Sequence, residues 1–192
     1  MTLIPVTLAM MNEKMRTWLK KKYYFWVASF VAAIILEVVL MCKVAVFNRV
    51  PINFIALFVF TALMAFGVTG ISSTYNPKVV FAAVVTTCVM FIGLTAYACL
   101  VKAEKMGYCW GMLAVISAVI WPSIIFMIIF RSYLIHMIVT SLCVLLFALI
   151  ILYDTKLIIK KLSVDDYIVG SLLIYADFIQ LFLCLLSLFG GR

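Results

Sequence analysis

Long apolar segments separated by short polar connections make up the chain from residue 24 onward. Six of them are about 20 residues long, enough for a helix to cross roughly 30 Å of hydrocarbon. Because a backbone inside lipid must satisfy its own hydrogen bonds, each predicts a spanning helix. The predicted spans are Tyr24–Cys42, Phe54–Ser73, Val79–Val101, Cys109–Phe130, Tyr133–Tyr153 and Tyr167–Phe189. The pattern therefore predicts an all-α integral membrane protein with six full transmembrane helices.

The first 23 residues follow a different pattern. The apolar run Met1–Met11 is too short to span a membrane, and a basic cluster comes after it, whereas a signal peptide carries its charges first. The cluster consists of Lys14, Arg16, Lys20, Lys21 and Lys22. We expect residues 1–23 to form an interfacial helix anchored by Trp18 and Tyr23, or the remnant of a truncated first spanning helix. Residues 24–192 then form the transmembrane bundle.

Composition supports a membrane protein without a separate soluble domain. The chain is 68% hydrophobic and 11% charged, with a mean hydropathy of +1.29, whereas about a quarter of the residues in a soluble domain are charged. The net charge of +8 favours topology control and contact with anionic lipid head groups over nucleic-acid binding. The six cysteines form no CxxC pair. They are interpreted as small buried hydrophobes rather than a disulfide or metal framework.

Small side chains form a stripe on the second predicted span. Ala62, Ala65 and Thr69 lie on this stripe, with Gly67 and Gly70 nearby. Small residues let membrane helices approach closely, so ordinary helix packing is one interpretation. The other interpretation is that these residues line a pore.

Two aspartates stand out in the C-terminal part of the chain. Asp154 ends the apolar run Tyr133–Tyr153, and Asp177 interrupts the run Tyr167–Phe189. A carboxylate inside a membrane helix costs roughly 2.5–3.5 kcal/mol on insertion scales. If the fifth helix continues to Lys161, the two carboxyl groups differ in depth by roughly 7 Å, a gap that helix tilt can reduce.

If the two carboxyl groups meet, we expect them to share a proton and titrate as a coupled pair. The pair would be a pH-sensitive catch: protonated, it holds two helices together, and doubly ionised, it separates them or binds a cation. A structural polar contact without function is the alternative. Glu37, near the end of the first span, is a third carboxylate and a candidate for a cation path. His136, the single histidine, is interpreted as a hydrogen-bonding residue of the bundle.

Several motifs resemble the Bax inhibitor-1 (Lifeguard) family. The C-terminal ones are Tyr153-Asp154-Thr155, Lys161–Tyr167 and Tyr175–Phe182, with Ala176 and Gln180 as mild departures. Three motifs further upstream resemble the Lifeguard branch of the family: Pro51-x-Asn53, Phe60–Met64 and Ser72–Asn76. The likeness covers nearly the whole chain.

The resemblance implies a seven-helix bundle in endoplasmic reticulum or Golgi membranes. It also implies a calcium leak gated by an aspartate pair, here Asp154 and Asp177, and suppression of apoptosis. Calcium would be the permeant ion rather than a cofactor. Relative to the family, the chain starts near the end of the first helix. Arg49 or Lys43 is the nearest candidate for the arginine that latches the pair in bacterial relatives.

The residues and the resemblance suggest three functions. The leading one is a pH-sensitive calcium leak channel, since calcium prefers oxygen ligands such as carboxylates. The alternative is a non-conducting interaction protein that restrains apoptosis regulators or other channels. An intramembrane aspartyl protease is disfavoured, because Tyr175-Ala176-Asp177 lacks the Gly-x-Gly-Asp half of that motif. We therefore expect no enzyme activity.

Overall fold

The computed structural model describes residues 5–6, 13–42, 52–100, 132–161 and 167–191. These residues are almost entirely helical. The helices are α1 (Glu13–Lys21), α2 (Tyr23–Cys42), α3 (Ile52–Ser73), α4 (Pro77–Leu100), α5 (Tyr133–Lys161) and α6 (Tyr167–Gly190). Five of the six predicted spans therefore coincide with described helices.

Four of the described helices contain a segment long and apolar enough to cross a membrane. The segments are Phe54–Ser73, Pro77–Leu100, Tyr133–Ile159 and Gly170–Gly190. In α2, which is 20 residues long, the apolar stretch with described side chains runs from Tyr23 to Leu36. The chain is thus a multi-pass integral membrane protein. The predicted span Cys109–Phe130 lies outside the described residues, so the count of six full spans stays a prediction.

A short turn joins α3 to α4, where the sequence predicted one. The Asn76 side chain accepts a hydrogen bond from the backbone N–H of Lys78, at 3.2 Å, and so caps the start of α4. Pro77 occupies the first helical position, where its missing N–H costs nothing. The cap and the proline together explain why α4 begins two residues before the predicted Val79.

The chain divides into two compact units, Met1–Val80 with Ser163–Leu172, and Phe81–Leu162 with Leu173–Arg192. In the first unit α2 packs along α3. The Ser29 hydroxyl donates a hydrogen bond of 2.9 Å to the carbonyl of Leu63. A Cβ atom built on Gly70 would overlap the Trp26 indole, and one on Gly67 would lie 3.0 Å from the Phe30 side chain. The glycines beside the small-residue stripe therefore allow close packing of the two helices.

The short helix α1 also belongs to the first unit and packs against α2 and α3. Its Leu19 side chain is buried, whereas Trp18 and the neighbouring Tyr23 are about half exposed. The Trp26 indole N–H donates to the Leu19 carbonyl, at 3.3 Å. Nine residues extend only about 13 Å as a helix. This length is too short for a span, and the assignment of residues 1–23 as an interfacial helix or the remnant of a first span stays a prediction.

The second unit joins part of α4 to α5 and to most of α6. The rings of Phe91 and Phe178 meet edge to face, with centroids 5.4 Å apart. His136 lies 3.3 Å, through Nε2, from the carbonyl oxygen of Ser187. Since a carbonyl only accepts, Nε2 carries the hydrogen in this contact. The predicted role of His136 as a hydrogen-bonding residue of the bundle is confirmed.

Candidate functional site

The site is built by two carboxyl groups on consecutive described helices. Asp154 lies in the last third of α5 and is partly buried, and Asp177 lies in the first half of α6 and is buried, with 6% of its surface exposed. Their side chains are hydrogen-bonded to each other. An ionised carboxylate can only accept hydrogen bonds, so this contact needs a proton on one of the two groups.

Burial of the residues next to the pair strengthens the effect of this contact. On α6 the neighbours Ala176 and Ile179 are 3% and 1% exposed, and Thr155 next to Asp154 is also buried. In a setting of low dielectric, two like charges a few ångströms apart repel much more strongly than in water. Loss of the shared proton would replace this hydrogen bond by a repulsion between two carboxylates. Two ionised carboxylates also offer the oxygen ligands that a hard divalent cation prefers.

Lys156 is a feature of this region that the sequence reasoning missed. It lies two residues after Asp154 on α5, and only 7% of its surface is exposed. Among the residues whose side chains are described, Lys156 and Asp177 are the two buried ones with a formal charge. A lysine within the apolar stretch at the end of the fifth span was the signal that could have drawn attention to it.

A pair of thiols also joins α5 and α6. Cys143 and Cys184 are partly buried and hydrogen-bonded to each other, without a disulfide between them. The described cysteines are free. The prediction of buried cysteines is wrong for Cys99, which is exposed on α4, and Cys88, Cys143 and Cys184 are only partly buried.

The structure describes less of the other predicted site residues. Glu37 lies within α2 in the first unit, and its side chain is outside the described set. Lys43 and Arg49, the latch candidates, lie between α2 and α3, also outside the described residues. The structure thus brings Asp154 and Asp177 together, and the parts assigned to the other three residues stay predictions.

Comparison with known proteins places this chain in a family. The family described as "Inhibitor of apoptosis-promoting Bax1" matches residues 1–192. Human Protein lifeguard 3 is 29% identical over 188 residues, which are 94% of this chain and 60% of the relative. Protein LIFEGUARD 4 of Arabidopsis thaliana is 30% identical over 84% of this chain and 67% of its own length.

A fungal relative extends the range of organisms. Bax inhibitor 1 of Schizosaccharomyces pombe is 28% identical over 90% of this chain and 64% of the relative. The chain thus spans about 60% of the length of the human relative and about two thirds of the plant and yeast ones. Because the family match covers the chain from end to end, this protein belongs to the Bax inhibitor-1 (Lifeguard) family.

Proposed function

We propose that this protein is a pH-sensitive calcium leak channel of intracellular membranes, in the endoplasmic reticulum or Golgi, and a negative regulator of apoptosis. The observation that carries the proposal is the side-chain hydrogen bond between Asp154 and Asp177 on two spanning helices. A membrane protein retains intramembrane carboxyl groups at a cost in insertion energy, which makes them functional candidates.

The proposed gate uses the shared proton. With one proton on the pair, the hydrogen bond holds α5 and α6 together and the path is closed. When both groups ionise, their repulsion opens the contact and their oxygens become available to a passing calcium ion. Flux should therefore increase as pH rises. On sequence grounds, Glu37 is the candidate for a further carboxylate along the path.

Reconstitution of the purified full chain alone tests the proposal. Liposomes that enclose a calcium indicator are exposed to external calcium at a series of values from about pH 5 to about pH 8, with protein-free liposomes as the blank. A protein-dependent influx that rises with pH supports the channel. Absence of influx at every pH contradicts it.

A second candidate function is a non-conducting membrane protein that restrains apoptotic or channel partners. The observation that favours it is the description of the matched family as inhibitors of apoptosis-promoting Bax1. Under this alternative the Asp154–Asp177 contact fixes the bundle and conducts nothing. The same liposome experiment distinguishes the two candidate functions. A non-conducting interaction protein gives no calcium flux when it is reconstituted alone, but it still protects cells that express it from apoptosis.

A further inference from the structure

An apolar groove lies between α1 and α3 in the first unit, with a volume of about 710 Å³. We call it the α1–α3 groove. The residues of α3 that line it recur at helical spacing on one face, and three residues of α1 face them, together with Pro5. These residues are Ala62, Ala65, Phe66 and Thr69 on α3, with Lys14, Trp18 and Leu19 on α1 and Pro5 before it. The groove thus lies along the small-residue stripe singled out in the sequence.

The walls of the α1–α3 groove fit an alkyl chain. The Thr69 hydroxyl donates to the carbonyl of Ala65 at 2.6 Å, so its hydrogen already has an acceptor within the helix. The remaining α3 wall is apolar. The volume lies within the range of about 300–1,000 Å³ found for small-molecule sites. A spanning helix, about 10–12 Å across and about 30 Å long, is far too large for it.

The α1 side of the α1–α3 groove is positively charged. Lys14, Trp18 and Lys22 follow one another at intervals of four residues, and the backbone N–H of Lys22 bonds to the Trp18 carbonyl at 3.1 Å. They therefore share one face of the helical segment. The Lys22 ammonium lies 5.4 Å from the centroid of the Trp18 ring. Lys20 and Lys21 are exposed nearby and add positive charge.

Charge and shape together select one kind of occupant. An apolar groove on a spanning helix, with an ammonium group at its wall, complements a molecule that has an anionic head and an alkyl tail. Exposed Trp18, Tyr23 and Tyr24 are side chains typical of the head-group level of a membrane. We propose that the α1–α3 groove binds one anionic phospholipid, with an acyl chain along its α3 wall and the phosphate at Lys14.

Native mass spectrometry of the full chain, released from detergent micelles, tests this proposal. Phosphatidylglycerol and phosphatidylcholine with the same acyl chains are offered in equal, limiting amounts. The wild-type protein should retain phosphatidylglycerol in preference. Lys14→Gln should reduce that retention about fivefold, the effect expected of one basic residue near an anionic head group. Ala65→Leu should remove it, because the added atoms fill the groove.

A matched control comes from the second unit. There a smaller apolar cavity of about 270 Å³ is lined by α5 residues without a charged side chain, and Ser141 is exposed at its wall. Ser141→Leu adds bulk to that cavity and should leave lipid retention unchanged. If the circular dichroism spectrum of Ala65→Leu shows that this variant does not fold like the wild type, Ala62→Leu and Lys14→Gln are used in its place.

Three outcomes overturn the proposal. The first is equal retention of the two lipids by the wild-type protein, and the second is wild-type retention of phosphatidylglycerol by Ala65→Leu. The third is a dimer without bound lipid that Ala65→Leu converts to a monomer, since the occupant is then a second copy of the chain. None of these outcomes depends on calcium flux, so this test is independent of the proposed channel.

Discussion

Asp154 on α5 and Asp177 on α6 are joined by a hydrogen bond between their carboxyl groups, within one compact unit of the protein. Two acidic side chains in contact inside a membrane-spanning pair of helices can exist in two states that differ by a single proton. This relationship supplies both the proposed gate and a means to test it.

The contact between α5 and α6 should be open to chemical cross-linking. Because the thiols of Cys143 and Cys184 touch, a variant that keeps only these two cysteines should form an intramolecular disulfide on oxidation with copper-phenanthroline. The reaction is read by mass spectrometry as the loss of two hydrogens. The same protein with Cys143→Ser is the control and should show no such loss. Two unreacted thiols under conditions that oxidise a model dithiol would contradict the described packing.

The approach of α2 to α3 depends on Gly70. A side chain there would overlap the Trp26 indole, so Gly70→Ala should lower the free energy of unfolding by about 1–3 kcal/mol. Thermal unfolding in detergent, followed by circular dichroism, measures the change. The control is Gly93→Ala, since nothing lies within 4 Å of a Cβ at Gly93. That variant should keep or raise stability, because alanine favours helix over glycine by about 1 kcal/mol. Equal effects of the two substitutions would argue against the close packing.

The end of α6 should be coupled energetically to the start of α5. A Cβ atom on Gly191 would come 2.7 Å from Cδ2 of His136, so Gly191→Ala should destabilise the wild-type protein. His136→Ala removes the hydrogen bond to Ser187, which is worth about 0.5–1.5 kcal/mol. In the double variant the clash is absent, and the two losses should not add. Additive losses in unfolding experiments would show that the two residues do not touch.

Hydropathy and helix-end signals account for the elements that the sequence predicted well. The described α2, α3, α5 and α6 begin or end within two residues of the predicted spans, because a change from apolar to polar residues marks each boundary. The helix α4 also begins within two residues of the prediction, at Pro77, where the Asn76 cap sets its start.

Contacts between helices could not be predicted in the same way. Helices that are apolar all round carry no polar face to show which side meets a partner. The Ser29–Leu63 hydrogen bond, the Cys143–Cys184 contact and the burial of Lys156 therefore appear only in the structure. The sequence identified Asp154 and Asp177 because charge inside an apolar run is conspicuous, and it left open whether they meet. Whether the two side chains are in contact depends on tertiary packing.

The central claim is that the proton shared by Asp154 and Asp177 controls calcium flux. In Asp177→Asn the amide N–H groups can donate to Asp154 without a titrating proton, and two like charges no longer face each other. Flux should then stay low and independent of pH. At about pH 8 it should be at least about tenfold below the wild-type value, because a repulsion of a few kcal/mol is removed.

The most direct measurement is calcium influx into liposomes from about pH 5 to about pH 8 for the wild type, Asp177→Asn and Glu13→Gln. Glu13 lies on α1 and is exposed, so its substitution makes the same charge change away from the pair. The account predicts influx that rises with pH for the wild type and Glu13→Gln, and a flat, low profile for Asp177→Asn. A wild-type pH profile in Asp177→Asn would contradict it.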